Sequence, residues 1–455
     1  MITLRHMIIP LALVYVLTRP GSLVAEQPMD AAVRLLPPAG TVELRQPESA
    51  EPLPPGIVSS EAQSGLTLGE LEAMALANNP SLSQSSAHIA AARGEWVQVG
   101  LAPNPIAGYQ AAEIGDEGRA GQQGGFVGQE VVTGHKLRLS RAVAAQDINV
   151  AEQRLATQRY RVLSDVRISF YEVLIAQRRR EITQELVSVG QRAVDTADVF
   201  LKRGEANRAD LLQARVEASS ARILLENSRN DLVAAWRRLG AVIGSPDLQP
   251  GPLSGDLDAD LGEIGYEDAK ARLLAESPEL AAAQARLDRA RAAVQRAFAE
   301  RVPNVDLQAS VQHDNATDDN IVGVQVGVPI PIWNRNQGGI RRAQAELAAA
   351  QSDIERVELD LQQRLAASYR QYANAKQQVE TYTREILPDA KSSLELVTQG
   401  YTQGEFGYLM LLTSQRTFFQ TNLSYLESLR QLREARAMVE GLLLTDSLGA
   451  EGTAR

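Results

Sequence analysis

Two stretches of this chain, 136–202 and 338–402, carry unbroken helical patterning, and each would span about 100 Å at 1.5 Å per residue. No compact globular domain holds a helix of that length, so these segments must pack sideways into an elongated bundle or tube. The apolar spacing agrees. Ile340, Ala343, Leu347, Ala350, Ile354, Val357 and Leu361 step alternately by three and four residues, which is a heptad seam. From Leu361 the steps to Leu365, Tyr369 and Tyr372 are four, four and three, an eleven-residue unit that relaxes the supercoil. Pro388 falls inside the second stretch and is expected to bend it.

The two stretches belong to an internal repeat with a period close to 200 residues. Asn79-Pro80-Ser81-Leu82 matches Ser277-Pro278-Glu279-Leu280, and Pro103-Asn104 matches Pro303-Asn304. Gly204-Glu205, then Leu211-Leu212 and Arg215, matches Gly404-Glu405, then Leu411-Leu412 and Arg416. The spacing divides the chain into a first repeat, 66–244, a Pro/Gly-rich linker, 245–265, a second repeat, 266–444, and a tail, 445–455. Each repeat reads as one helix of about 34 residues (67–100; about 266–301), two strands, the long helix, a Gly-Glu turn and a return helix of about 36 residues. Thr67 with Glu70 reads as a capping box at the start of the first helix. The two shorter helices together match the long one and can stack end to end beside it.

Between the helices the pattern changes to period two. Val305, Leu307, Ala309 and Val311 alternate with polar residues, and Val322, Val324, Val326, Val328 and Ile330 alternate with Gly, Gln and Pro. The first repeat carries a weaker version over Ile106–Ile114 and Gly125–Val132. Alternation over about ten residues fits a strand with one face on lipid and one on water, and fits equally a sheet half-buried on a soluble core. Export and the lack of any other apolar mass favour the membrane. Four strands cannot close a barrel with room inside, and open edges are not tolerated in lipid, so a barrel must be shared between chains. Two chains would supply eight strands and three would supply twelve; the pattern alone does not choose.

Export is read from residues 1–25, with Arg5 in the n-region, an apolar run from Met7 to Leu17 and a cleavage site near Ala25. An N-terminal membrane anchor is the alternative, although the run is shorter than the ~20 residues a spanning helix needs. Residues 26–65 are Pro-rich and read as an extended segment. No later run of 18 apolar residues follows, so any further crossing must use strands. The formal charge of −10 argues against a nucleic-acid partner. The chain has no Cys, which removes disulfides, thiolate metal sites, a Cys nucleophile and a Cys-linked lipid. His88, His135 and His313 are scattered, and no catalytic or cofactor-binding constellation is visible. Gly121–Gly128 is not followed by a helix, so it reads as an extracellular hairpin loop rather than a phosphate cradle. The expected fold class is therefore mainly α with a small β part, in a protein that is not an enzyme.

On the duplicated plan and the two Gly-Glu turns, residues 66–444 resemble the TolC-like outer membrane factor family, the trimeric exit ducts of Gram-negative tripartite efflux and secretion machines. The run Val328-Pro329-Ile330-Pro331-Ile332-Trp333-Asn334-Arg335-Asn336-Gln337-Gly338 is similar to the strand-to-helix junction of the family's heavy-metal (cobalt-zinc-cadmium or copper-silver) branch. Thr133-Gly134-His135-Lys136 is its weaker counterpart. The resemblance implies a homotrimer, with a shared twelve-stranded barrel in outer-membrane lipid and twelve helical columns forming a periplasmic tunnel. It implies a periplasmic adaptor docked at the tips Gly204, Glu205, Gly404 and Glu405, and an inner-membrane pump of the RND type or another type. Asp195, Asp198 and Glu395 lie one to three turns before the tips, where a trimer would turn each into a ring of three acids at the closed aperture; the plain alternative is a solvated helix face. For the tip glycines the plain alternative is a simple helix C-cap.

The function implied is a passive outer-membrane exit channel, with heavy-metal cations as the substrate class that the junction indicates and drug or protein export as the alternative. A periplasmic adaptor or an exported structural coiled coil are readings of another class. An adaptor normally has one helical hairpin, whereas two are present here, and a coiled coil leaves the period-two strands unexplained.

Overall fold

The computed structural model describes residues 65–449 apart from 119, 205–206 and 260–261. The expected leader, the Pro-rich segment through residue 64 and the last six residues lie outside the described residues. β1 (Leu66–Thr67) leads into α1 (Leu68–Asn78) and α2 (Pro80–Gln98), followed by β2 (Ile106–Ala112), β3 (Gln122–Val131), α3 (Lys136–Arg203) and α4 (Arg208–Ile243). After β4 (Leu253–Ser254) the order recurs as α5 (Tyr266–Glu276), α6 (Pro278–Ala299), β5 (Val305–Asp314), β6 (Asp319–Gly327), α7 (Gln337–Thr381), α8 (Leu387–Thr402) and α9 (Tyr408–Glu440). The architecture is mainly α with a small β part, as the patterning predicts: one four-stranded sheet and one two-stranded sheet.

The Thr67 box forms: the Glu70 amide donates to Thr67 Oγ1, and Glu70 Oε2 accepts from the Thr67 amide at 2.8 Å. The single 34-residue helices do not form. Each is broken in two, at Asn79-Pro80 and at Ser277-Pro278, because Pro has no amide hydrogen and drives the residue before it out of the helical region. Asn79 (φ −66°, ψ 121°) and Ser277 (φ −62°, ψ 117°) are extended, and their side chains cap the second helix by accepting from the amides of Ser81 and Leu280. The second long helix also differs from expectation. A π turn at Tyr382–Ile386 divides α7 from α8 immediately before Pro388. The wider turn absorbs the hydrogen bond that proline cannot make.

The helices pack through three main apolar clusters. One joins α1, α3 and α4 through Leu71, Val162, Val166, Leu239 and Ile243. Another joins α5, α7 and the segment just after α9 through Leu273, Leu361, Leu365, Leu442 and Leu444. The third couples the halves, with Ile175 and Ile182 of α3 against Phe419, Leu426 and Leu429 of α9. The segments expected as linker and tail are tied down where they are described. β4 pairs in parallel with β1. The amides of Asp446 and Ser447 donate to the Asp165 carboxylate at 3.0 and 2.6 Å.

Arg433 is the main anchor of the linker. It is buried, donates to the carbonyls of Leu257 and Ala259, and lies 5.1 Å over the Tyr171 ring. Arg433→Met keeps the apolar stem but strips two partly buried carbonyls of their donor, a loss of about 1 kcal/mol for each hydrogen bond. The expected result is faster proteinase K cleavage within 253–259 with the long helices left intact. Cleavage unchanged from wild type would remove Arg433 from this role.

The strands form one antiparallel sheet in the order β2-β3-β5-β6, leaving β2 and β6 as its edges. β6 stops at Gly327 instead of continuing to Ile330, because Pro329 and Pro331 cannot donate to a ladder. β2 stops at Ala112, short of Ile114, and β3 runs from Gln122 to Val131. The Gly-rich segment expected as a loop is therefore mostly strand. At Gly124 a Cβ would sit 2.0 Å from the Val311 carbonyl oxygen, so glycine permits the close approach of β3 to β5.

Candidate functional site

The register sorts the sheet into two chemically distinct faces. Ala107, Val127, Ala309 and Val324 lie in one row across all four strands, and Tyr109, Gly125, Val311 and Val322 lie in another. This face is apolar and bare, with Val324 79% exposed. The opposite face carries Gln110 and Gln312 in one row, Gln308 and Gln325 in another, and Asp306 beside Glu130. On β3 the inward positions Gly124 and Gly128 leave room for Gln308 Nε2 to donate across to Gln110 Oε1 at 3.2 Å. One face thus suits lipid and the other water. Among the described residues no helix is long and apolar enough to cross a membrane.

Below the sheet, the first strand-to-helix junction grips the second half. Lys136 is buried; its Nζ donates to Asn304 Oδ1 at 2.6 Å and lies 3.5 Å from Glu300. Asn304 in turn donates to Glu130 Oε1 at 2.6 Å, and the Thr133 hydroxyl donates to the Pro303 carbonyl. Both N-cap residues, His135 and Asn336, take the left-handed conformation.

At the other end of α3, about 100 Å away by its 68 residues, the chain reverses twice. Gly204 (φ +76°) closes α3, and Asn207 and Asp210 form a capping box that opens α4. Gly404 (φ +79°) ends the second turn, with the amides of Glu405 and Phe406 both donating to the Gly400 carbonyl, at 2.8 and 3.3 Å. The two reversals lie together. Phe200 and Tyr401 have ring centroids 6.0 Å apart, and Tyr401 and Tyr408 are 6.3 Å apart. Burial, and to a smaller degree the neighbouring Tyr401, Glu217 and Asp210, push the Tyr408 hydroxyl up to about 12.

Glu405 is exposed on the tip, and Glu205 lies outside the described residues. Asp195 accepts from Gln191 Nε2 at 3.1 Å, and Asp198 pairs with Lys202 at 2.6 Å. Glu395 is exposed. A cavity of about 380 Å³ separates the stretches of α3 and α8 that carry these acids; it is lined by Arg192, Thr196, Leu394 and Thr398, and the three acids do not line it. The structure therefore brings the two glycines together but does not join the acids into one cluster within a chain. Sequence reasoning missed Phe406, Leu409 and Met410, which stand exposed beside the Gly404 turn. Nothing local in the sequence separates them from Leu411 and Leu412, which follow the same reversal and are buried. Among the described residues no group of His, Asp and Glu is arranged to hold a metal ion.

An amphipathic four-stranded sheet at one end of 100 Å helical hairpins defines a class of membrane-inserted conduit proteins. The profile of the family described as outer membrane efflux protein matches residues 71–245 and 271–443, and the chain belongs to that family. Its members are outer-membrane channels and not enzymes. The cobalt-zinc-cadmium resistance protein CzcC of Cupriavidus metallidurans is 26% identical over 416 residues, covering 91% of this chain and 98% of that protein. The nickel-cobalt-cadmium resistance protein NccC of Alcaligenes xylosoxydans xylosoxydans is 23% identical over 294 residues, covering 63% and 65% respectively. Among solved structures, CusC superposes with a TM-score of 0.71 at 18% identity, covering 88% of this chain and 99% of that one. The protein is an efflux channel of the outer membrane.

Proposed function

We propose that three copies of this chain close a twelve-stranded barrel and a helical tunnel, and that this duct passively releases heavy-metal cations from the cell. The observation that carries the reading is the sheet: four strands, an apolar outer face and two open edges, which lipid does not tolerate unless other copies close them. The substrate class is supported by the near full-length likeness to a protein named for cobalt, zinc and cadmium resistance. Energy and substrate choice belong to an inner-membrane pump, reached through a periplasmic adaptor seated on the tips at Gly204 and Gly404. The 66–244 and 266–444 halves are copies of one unit, which gives the duct six similar columns of helix pairs. Asp195, Asp198 and Glu395 form rings of like charge near the closed end, where they favour cations.

The test is a deletion strain challenged separately with zinc, cobalt, cadmium and a panel of dyes. The expected result is sensitivity to one or more metals, restored by the gene in trans. Sensitivity to dyes alone would replace the metal reading with drug efflux. No change to either, beside normal secretion of proteins, would remove the proposal.

A further inference from the structure

Directly below the sheet the sign of the surface reverses. The chain carries a formal charge of −10, yet residues 132–142 and 331–345, which run from the ends of β3 and β6 into the first turns of α3 and α7, hold six Lys or Arg and no Asp or Glu. We propose that this basic collar binds the anionic phosphate headgroups of phospholipids in the leaflet nearer the helices, and so selects anionic over zwitterionic lipid. This binding depends on the lipid-facing sheet and on neither the cargo nor the number of copies.

The collar lies at the depth of the headgroups. β3 and β5 have ten residues each, the length with which a tilted strand crosses the hydrocarbon layer. Side chains just past the helix-side ends of these strands therefore stand among headgroups. Arg138, Arg141 and Arg341 come two to five residues after the first residues of α3 and α7, within about 8 Å of the helix starts at 1.5 Å per residue. The headgroup layer is itself about 5–8 Å deep on each side of a bilayer. Apolar residues mark its inner boundary. Val97 and Leu101 stand exposed at the end of α2, Phe298 and Val302 at the end of α6, and Ile332 and Trp333 after β6. Bare aliphatic side chains followed by aromatic and basic ones is the order found where a membrane protein leaves the hydrocarbon.

The arginines of the collar are left without acids. Farther down the helices arginines are paired, Arg286 with Asp353 and Arg289 with Asp147. Glu300, the acid next to Arg301 in sequence, is taken up by Lys136 and Arg296. Arg138, Arg301, Arg335 and Arg341 are exposed and, among the described residues, form no ion pair. Arg335 is nonetheless held in place, since its Nε donates to the Pro331 carbonyl at 3.2 Å and its terminal nitrogens are left without a partner. Arg141 is seated as well. Its guanidinium lies 4.9 Å over the Trp96 ring, and Gly100 leaves it room, because a Cβ there would collide with the Arg141 side chain. A guanidinium fork matches a phosphate bidentately, and each basic residue close to an anionic leaflet adds to the attraction. The partner that fits is an anionic surface outside the chain, and at this depth that surface is the phosphate layer of the leaflet.

The full chain is purified in neutral detergent and titrated with phosphatidylglycerol or phosphatidylcholine, and bound lipid is counted by native mass. Wild type is expected to bind phosphatidylglycerol at least about tenfold more tightly than phosphatidylcholine, and Arg138→Gln/Arg335→Gln/Arg341→Gln to lose that preference. Arg203→Gln/Arg208→Gln/Arg384→Gln removes the same charge from exposed positions away from the sheet and is expected to keep it. Affinity for phosphatidylcholine is expected to be equal in all three proteins. No preference in wild type, or an unchanged preference in the collar variant, overturns the proposal. An equal loss in the control variant overturns it in favour of net charge alone. Displacement of phosphatidylglycerol by inorganic phosphate at matched concentration would make the ligand a free anion and not a leaflet, which also overturns it. None of these results bears on the metal challenge or on the number of chains per particle, which test the proposed function separately.

Discussion

Val324→Arg is expected to deplete assembled protein from the outer membrane, while Gln325→Arg, one residue along, is expected to leave it near normal. Val324 occupies the row formed with Ala107, Val127 and Ala309, on the face whose side chains are bare. A cation on the lipid face near the midplane costs about 2–4 kcal/mol, and the cost shrinks toward either interface. Because each copy of a shared barrel carries the change, the losses accumulate in the assembly. Gln325 belongs to the row of Ile106, Gly128 and Gln308 on the opposite face, beside the Gln308–Gln110 bridge. An arginine there enters a polar, glycine-relieved surface and meets water. The measurement is the amount of heat-modifiable oligomer in outer-membrane fractions, with total expression as the control. Equal depletion by both variants would reverse or abolish the assignment of the faces.

The parts of the fold legible in the sequence are those governed by local periodicity. The Ile340–Leu361 heptads, the alternation from Val305 to Val311 and the Thr67–Glu70 box each depend on residues within one or two turns of each other. The misreadings come from places where a backbone requirement overrides the side-chain pattern. Asn79-Pro80 and Ser277-Pro278 serve well as landmarks of the repeat, yet the prolines that make them visible also break the helices they were placed in. Pro388 signals a bend, but the sequence does not say that the ladder will widen into a π turn at Tyr382–Ile386. Gly124 reads as loop until the β5 backbone is seen against it, because a close approach between distant segments has no local signature. The candidate site divides similarly. Gly204 and Gly404 hold equivalent repeat positions, and the Phe200–Tyr401 contact sets their turns near each other. Asp195 and Asp198 take local partners on α3, Gln191 and Lys202, and Glu395 stands exposed on α8, so the three acids do not meet within the chain.

Gly404→Trp and Glu405→Lys are expected to leave oligomer abundance normal and to abolish most efflux. The tip lies at the opposite end of the long hairpins from the sheet, so strand pairing cannot sense it directly. Gly404 has φ +79°, and no heavy atom lies within 4 Å of the position a Cβ would take. The cost to the fold is therefore conformational and not steric, about 1 kcal/mol for a left-handed position. Extensive helix packing through Leu361, Leu365, Ile182 and Phe419 can absorb that amount. A docked adaptor is placed differently. On the docking proposed above it would approach Glu405 and the exposed Leu409 and Met410 closely, and a bulky indole or an inverted charge at the centre of such a contact would remove several kcal/mol of binding. Gly204→Trp should act in the same direction, since Gly204 has the same left-handed turn and equally open space around it. Efflux, cross-linking to the adaptor and oligomer abundance are measured on the same cells. A fall in oligomer abundance would make Gly404 a purely structural reversal. Normal abundance with normal efflux would take both tips out of the transport pathway.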